Sequence, residues 1–188
     1  MARIVVGISG ASGAVYGIRL LEILSKDPGI EIHLTVTAAA ARTIRLETGY
    51  TMESVLGLGH YVYDSADVGA RVASGSFRTD GMVVVPCSMK TVSAIANSYN
   101  DNLLVRAADV TLKEKRKLVV VPRETPLHLG HLRILTALAE MGAVVLPPMP
   151  AFYHQPKSID DLVDQTVGKI LDQFGIEHDL FRRWGSGE

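Results

Sequence analysis

The residues of this chain that could do chemistry gather in five short segments. They are Ser9-Gly10-Ala11-Ser12-Gly13, then Thr37, then Ser88-Met89-Lys90-Thr91, then Arg123-Glu124, and last Tyr153-His154 inside a proline-rich stretch. The glycine-serine turn offers backbone N–H groups with small residues that allow close approach, which is the chemistry of an anion or cofactor turn. Ser88, Lys90 and Thr91 supply two hydroxyls and an ammonium. Arg123 can clamp a phosphate with two parallel hydrogen bonds, and Glu124 can move a proton.

Each segment also has a plainer reading. The first turn could be a tight strand-to-helix connection and nothing more. Gly7, Gly10 and Gly13 fall three apart and miss the G-x-G-x-x-G spacing. The P-loop lysine is missing, and Thr37 stands where an acid would hold a ribose. A hydrolase serine elbow is a poor match. Ser88 could be an ordinary helix cap with Lys90 in solvent, or its loop could meet a phosphate or the polar edge of a flavin ring. Arg123 and Glu124 could form a structural ion pair. Cys87 reads as a small buried hydrophobe. His154 reads as a loop histidine with a structural hydrogen bond, and His128 and His131 as residues of a helix start. Trp184, near Arg182 and Arg183, reads as a residue that closes a subunit interface or covers a site mouth.

The elements that must position these residues follow from the apolar pattern. Ile4–Ile8, Ile32–Val36, Met82–Val85, Leu118–Val121 and Val144–Leu146 are continuous apolar or near-apolar runs, which suits parallel strands covered on both faces. Ala14, Ile18, Leu21 and Leu24 recur at helical spacing. Ala38–Glu47 is a second helix, and Leu162 to Phe174 trace a third, with Ser158 and Asp161 as its capping box. Met52–Thr79 mixes helix and loop signals. Alternating strand and helix predicts an α/β fold, a three-layer doubly wound sheet that is mostly parallel. All five chemical segments then sit at the carboxyl ends of strands, where such folds bind ligands.

Bulk composition narrows the classes. With 188 residues the chain predicts one domain over 1–188, with a tail from about 175–188 packing at subunit interfaces. Apolar residues make up 47%, which predicts a large core together with apolar surface covered in a homo-oligomer. A net charge of -1 gives no reason to expect a nucleic-acid partner. One cysteine excludes an internal disulfide and a cysteine-based zinc site. No stretch reaches membrane-spanning length, and the start of the chain lacks a signal-peptide pattern, so a cytoplasmic location is expected.

Here the motifs become specific. Gly-Ile-Ser-Gly-Ala-Ser-Gly-Ala at 7–14, Pro-Cys-Ser-Met-Lys-Thr at 86–91, the run from Arg106 to Glu114, Val-Pro-Arg-Glu-Thr-Pro at 121–126 and Pro-Ala-Phe-Tyr-His-Gln-Pro at 150–156 resemble the UbiX family of flavin prenyltransferases. The resemblance covers essentially the whole chain, in the family's order. It implies a flavodoxin-like or Rossmann-like sheet and a homo-oligomer, typically a dodecamer, with the flavin site between subunits. It also implies transfer of a dimethylallyl group from dimethylallyl monophosphate to N5 and C6 of reduced FMN. The prenylated FMN would serve a UbiD-type decarboxylase. Members have also been called 3-octaprenyl-4-hydroxybenzoate or phenylacrylic acid decarboxylases, which ties the family to ubiquinone biosynthesis.

By that resemblance Gly10, Ala11, Ser12, Thr37, Ser88, Met89, Lys90, Thr91 and Arg123 are FMN contacts. Lys113, Arg123, Tyr153 and Lys169 are the phosphate set for the prenyl donor. Ser12, Glu47 and Glu124 are the catalytic group, with Ser12 close to flavin N5. No metal is expected, because the chain has no acidic metal cluster and its cations can hold a monophosphate. Thr37 replaces a serine but keeps the hydroxyl. Lys169 replaces an arginine and loses the two-pronged fork. Two other readings stand beside this one. An FMN-dependent cysteine decarboxylase would carry a histidine after the second strand, where this chain has Arg42, Arg45 and Glu47. A non-catalytic FMN carrier would not need Lys113, Arg123, Tyr153 and Lys169 together.

Overall fold

The computed structural model describes residues 1–185. Strands β1 (Ala2–Ile8), β2 (Ile30–Val36), β3 (Tyr61–Asp64), β4 (Gly81–Cys87), β5 (Lys117–Pro122) and β6 (Val144–Val145) form one sheet, in the order β3-β2-β1-β4-β5-β6. Every pairing is parallel. This is the strand order of Rossmann-type doubly wound sheets, with the switch point between β1 and β4.

Helices α1 (Ala14–Leu24), α2 (Ala38–Glu47), α3 (Met52–Leu56) and α7 (Ile159–Phe174) cover one face, and α4 (Met89–Ala96), α5 (Leu103–Lys113) and α6 (Leu129–Glu140) cover the other. The strand sequences explain the double cover. Ile4, Val6 and Ile8 of β1 join the first core and Val5 joins the second. Val83 and Val85 of β4 face one way, Met82 and Val84 the other. Successive side chains of a strand point to opposite faces, so a strand buried on both sides is apolar on both; β2 departs from this on one face, where His33 and Thr35 are buried between its apolar residues.

The sheet has six strands where the apolar runs predict five. The additional one, β3, lies inside the ambiguous stretch Met52–Thr79. It is a four-residue edge strand, with Tyr61 and Val62 exposed to solvent. An edge strand is not covered on both faces, so its sequence need not be a continuous apolar run. The predicted capping box is present: Ser158 accepts from the Asp161 N–H, and Asp161 accepts from the Ser158 N–H. No described helix is long and apolar enough to cross a membrane.

Candidate functional site

The carboxyl ends of β1 and β4 are tied together by Ser9. Its buried hydroxyl donates to the Pro86 carbonyl (3.1 Å) and accepts from the Ser88 N–H (2.8 Å). The glycine turn and the Ser88 loop are thus one rigid rim over the switch point. Gly10 sits against α2 so closely that a Cβ there would lie 2.4 Å from the Ala39 Cβ. Gly13 caps α1 with φ of 95°, in the left-handed region that glycine takes without strain.

Three helices start on this rim. Thr37 caps α2, accepting from the Ala40 N–H at 3.1 Å. Ser88 caps α4, accepting from the Thr91 N–H and donating to the Thr91 hydroxyl. The plain reading of Ser88 as a cap therefore holds, and a second role has to be made with what remains of the hydroxyl. Lys90 is not left in solvent alone, since it forms an ion pair with Asp101. Cys87 is fully buried, and burial pushes its thiol well above the usual range, so it is no nucleophile.

Glu47 closes the rim from the last residue of α2. Its Oε2 accepts from the N–H of Gly13 (2.8 Å) and of Ala14 (3.3 Å). Burial works against its charge. The Ser12 hydroxyl, those two N–H groups and nearby Arg123 outweigh burial and hold the carboxyl below the usual range. Ser12, Gly13, Glu47 and Arg123 line one cleft of about 340 Å³ with Val15, Tyr16, Thr48, Pro148, Ile159 and Val163. Its walls are mixed: a carboxylate, a guanidinium and a hydroxyl face aliphatic and aromatic surface, as in sites for flat cofactors. Burial raises the Tyr16 phenol, and the charge of Arg123, which lines the same cleft, opposes that rise.

The other predicted residues fall in three places. Glu124 is exposed next to Arg123, and its carboxylate accepts from the Thr125 N–H at 3.0 Å. No ion pair joins it to Arg123 among the described residues. Tyr153 and Lys169 belong to a second cluster, under the chain that follows α7. Tyr153 meets Trp184 and His154 edge to face, each with ring centres 5.5 Å apart, and Lys169 lies 3.5 Å from Asp172. Both ring nitrogens of His154 are shielded and have no hydrogen-bond partner among the described residues, so the structural bond expected for it is absent. Lys113 ends α5, ahead of β5, and is paired with Glu114 beside Gly75. That is the amino edge of the sheet, opposite Arg123, so within one subunit Lys113 does not join the cleft.

The sequence places Ser9 in the first chemical turn without its tie to the Ser88 loop, and it singles out neither Tyr16 nor Asp172. Ser9 had a signal, as the first residue after a buried strand. Tyr16 and Asp172 had none, because each acts through partners distant in the chain. A second cavity of about 370 Å³ adjoins the cleft across Val15 and Val163. Its one cation is taken, with Arg19 on Asp164 at 2.6 Å, and the Tyr50 hydroxyl donates to Glu22 at 2.6 Å; with Asp160 also in the lining, the cavity is acidic. No group of three or more His, Cys, Asp or Glu side chains converges to hold a metal among the described residues.

Comparison with known proteins gives the family. The family model described as Flavoprotein matches residues 1–171. The flavin prenyltransferase UbiX of Thauera aromatica is 60% identical over 186 residues, covering 99% of this chain and 95% of its own length. The crystal structure of AnUbiX in complex with FMN and dimethylallyl pyrophosphate superposes with a TM-score of 0.96 at 49% identity, covering 100% of this chain and 99% of that one. A dodecameric FMN-dependent UbiX-like decarboxylase from Escherichia coli O157:H7 gives a TM-score of 0.96 at 50% identity, covering 98% and 100%.

Proposed function

This chain belongs to the UbiX family of flavin prenyltransferases, and from that premise we propose that it joins the dimethylallyl group of a dimethylallyl phosphate to reduced FMN. The acceptor positions are flavin N5 and C6, and the prenylated FMN goes to a UbiD-type decarboxylase. The observation that carries the reading is the single cleft shared by Ser12, Glu47 and Arg123 at the switch point of the sheet.

The fit to a flavin rests on the rim. Gly10, Ala11 and Ser12 present backbone with little side chain, and Tyr16, Pro148 and Val163 offer apolar wall. Thr37, Ser88, Met89, Lys90 and Thr91 complete the FMN contacts at the neighbouring strand ends. Reduced FMN supplies the nucleophilic ring positions. The protein's part is to hold, orient and exclude water. Arg123, Tyr153, Lys169 and Lys113 take the charge of the departing phosphate, which favours breaking the allylic C–O bond. The apolar wall keeps water from the allylic carbon. Glu47, ionised and aimed at the turn, holds Ser12 in place and stabilises positive charge in the cleft. Glu124 or the released phosphate takes the proton lost from C6.

Assembly completes the site. Helix α6 buries only Leu138 and leaves Leu129 and Leu132 exposed, and Met149 and Phe152 are exposed beside Tyr153. A homo-oligomer, a dodecamer like that of the E. coli relative, covers these side chains and the tail from 175 to 185, the rest of the expected tail lying outside the described residues, and brings Lys113 from a neighbouring copy. The enzyme works in the cytoplasm. The test is to mix the protein anaerobically with reduced FMN and dimethylallyl monophosphate and weigh the flavin. Gain of one C5 unit is expected; bound FMN without an adduct would instead make the protein a flavin carrier.

A further inference from the structure

One carboxylate near the end of α7 holds three basic side chains. Asp172 accepts a two-pronged pair of hydrogen bonds from Arg183, Nη2 to Oδ1 at 2.7 Å and Nη1 to Oδ2 at 3.1 Å. His178 Nε2 lies 3.1 Å from Oδ1, and Lys169 Nζ lies 3.5 Å from Oδ2. Asp172 is held below the usual carboxylate range, first by the Arg183 hydrogen bonds, so it is ionised at neutral pH.

The arrangement has local causes. Lys169 and Asp172 are three apart on a helix and share a face. Gly168 opens that face: a Cβ there would lie 2.5 Å from the Phe181 ring and 2.6 Å from the His178 ring. The segment after α7 therefore lies flat on the helix. Arg183 sits over the Phe181 ring at 5.5 Å, and the next residue, Trp184, meets Tyr153 edge to face.

Tyr153 and Lys169 come from different elements, and this segment runs between them. A lysine ammonium has no built-in direction, unlike a guanidinium fork. Something must aim it. We propose that Asp172 is a positioning residue for the prenyl-donor phosphate: its carboxylate aims Lys169 and, through Arg183, pins the tail so that Trp184 braces Tyr153. The inference rests on the reading of Tyr153 and Lys169 as phosphate ligands. A half-exposed lysine–carboxylate pair is weak in water, so Lys169 turns from Asp172 to a phosphate at little cost. The two-pronged Arg183 pair is stronger and stays closed.

The experiment uses the full chain saturated with FMN, and its readouts are binding and fluorescence. Trp184 is the only tryptophan, so its emission reports the tail. Asp172→Asn should weaken dimethylallyl monophosphate binding by about tenfold, leave FMN affinity within about twofold and shift the Trp184 emission. Asp172→Glu should recover most of the donor affinity. In a cycle with Lys169→Gln, the second substitution should cost little once the first is made. Unchanged donor binding in Asp172→Asn, equal losses for donor and FMN, or an additive cycle would overturn the inference. If Asp172→Asn does not fold, Arg183→Gln decides: weaker donor binding with shifted emission supports it, and unchanged donor binding overturns it. A wild type that binds the donor yet forms no adduct sinks the proposed function and leaves this inference standing. A wild type that binds no donor overturns both.

Discussion

Glu47 reaches across from the end of α2 to accept the Gly13 N–H, at 2.8 Å, at the start of α1. The relationship decides what the glycine-serine turn can do. An exposed helix N-terminus attracts phosphate through its unpaired N–H groups and its positive dipole end. Here the Gly13 and Ala14 N–H groups are already taken by the chain's own carboxylate. Those two groups are therefore closed to a phosphate. The turn is a flat, small-residue wall with an anion fixed beside it, and Ser12 bridges the wall and the anion.

Replacing that anion separates its two jobs. In Glu47→Gln the amide oxygen can still accept from Gly13, but the charge is gone. Prenyl transfer should slow by roughly 10²-fold while FMN affinity stays within about twofold. Ser12→Ala removes one of the groups that hold the Glu47 carboxyl low, so its titration should move up toward the ordinary 4.5. The sign follows. A carboxyl lowered on folding stabilises the fold above 4.5, and that contribution fades as pH falls through the lowered value. Ser12→Ala should thus shift the acid limb of the pH–rate profile upward. Flavin titration and single-turnover mass spectrometry check both variants, and loss of FMN binding in either would move its role from catalysis to cofactor holding.

Much of this is legible in the sequence. Doubly covered strands are apolar on both faces, so β1, β4 and β5 announce themselves, β2 does so by Ile32 and Leu34 despite its buried His33 and Thr35, and the residues after them fall on one edge. The edge strand β3 escapes because nothing covers its outer side. Pairings between distant parts of the chain escape for a different reason. Ser9 meets Ser88 across 79 positions, and no spacing rule links them. Glu47 at Gly13 and Asp172 at Arg183 are likewise set by how helices pack, not by local pattern. Lys113 shows the limit from the other side. The motif groups it with Arg123, yet the topology puts it at the opposite edge of its own subunit.

That separation has a direct consequence in a shared site. Lys113→Ala and Glu47→Gln each remove a residue from every active site of a pure oligomer. If neighbouring copies supply the two residues, dissociating the variants together and reassembling them makes some sites with both natural residues. The mixed oligomer should then form prenylated FMN faster than either parent. Activity no higher than the parents' average would mean that Lys113 does not serve the cleft of another copy.

Close approach at Gly10 gives a test that needs no assumption about chemistry. A Cβ would lie 2.4 Å from the Ala39 Cβ, inside any real contact. Gly10→Ala must push α2 away from the turn, at a cost of about 1–3 kcal/mol in urea unfolding. The displacement also carries Glu47, which sits on α2, so FMN affinity should fall too. Ala39→Gly in the same chain removes the 2.4 Å contact, leaves the Ala39 backbone at 3.1 and 3.3 Å, and should restore flavin binding and part of the stability. A stable Gly10→Ala with normal flavin binding would show that the rim is softer than its geometry implies.

The face of the sheet away from the site holds a buried histidine with its own pH signature. His33 is fully buried on β2, with Nε2 2.9 Å from the Glu31 carboxylate and Nδ1 2.8 Å from the Tyr63 hydroxyl. A neutral imidazole fits this pair in one way: Nε2–H donates to Glu31, and Nδ1 accepts from Tyr63. Tyr61 stacks on the ring at 5.0 Å and Phe77 meets it edge-on at 5.1 Å, while Arg3 and Arg71 add positive charge nearby. Burial lowers the His33 titration below 6.5, and Glu31 only partly offsets that. The unfolded chain therefore takes up this proton first. Stability should decline as pH falls through 6.5 toward the lowered value, then level off until the carboxylates titrate. Glu31, lowered by its His33 hydrogen bond, adds its own loss only below 4.5. Unfolding midpoints from pH 8 to pH 5 should show the first decline in the wild type and lose it in His33→Asn. The variant would start from a lower midpoint, because Glu31 and Tyr63 lose their shared partner. An unchanged slope in His33→Asn would place the decline elsewhere in the molecule.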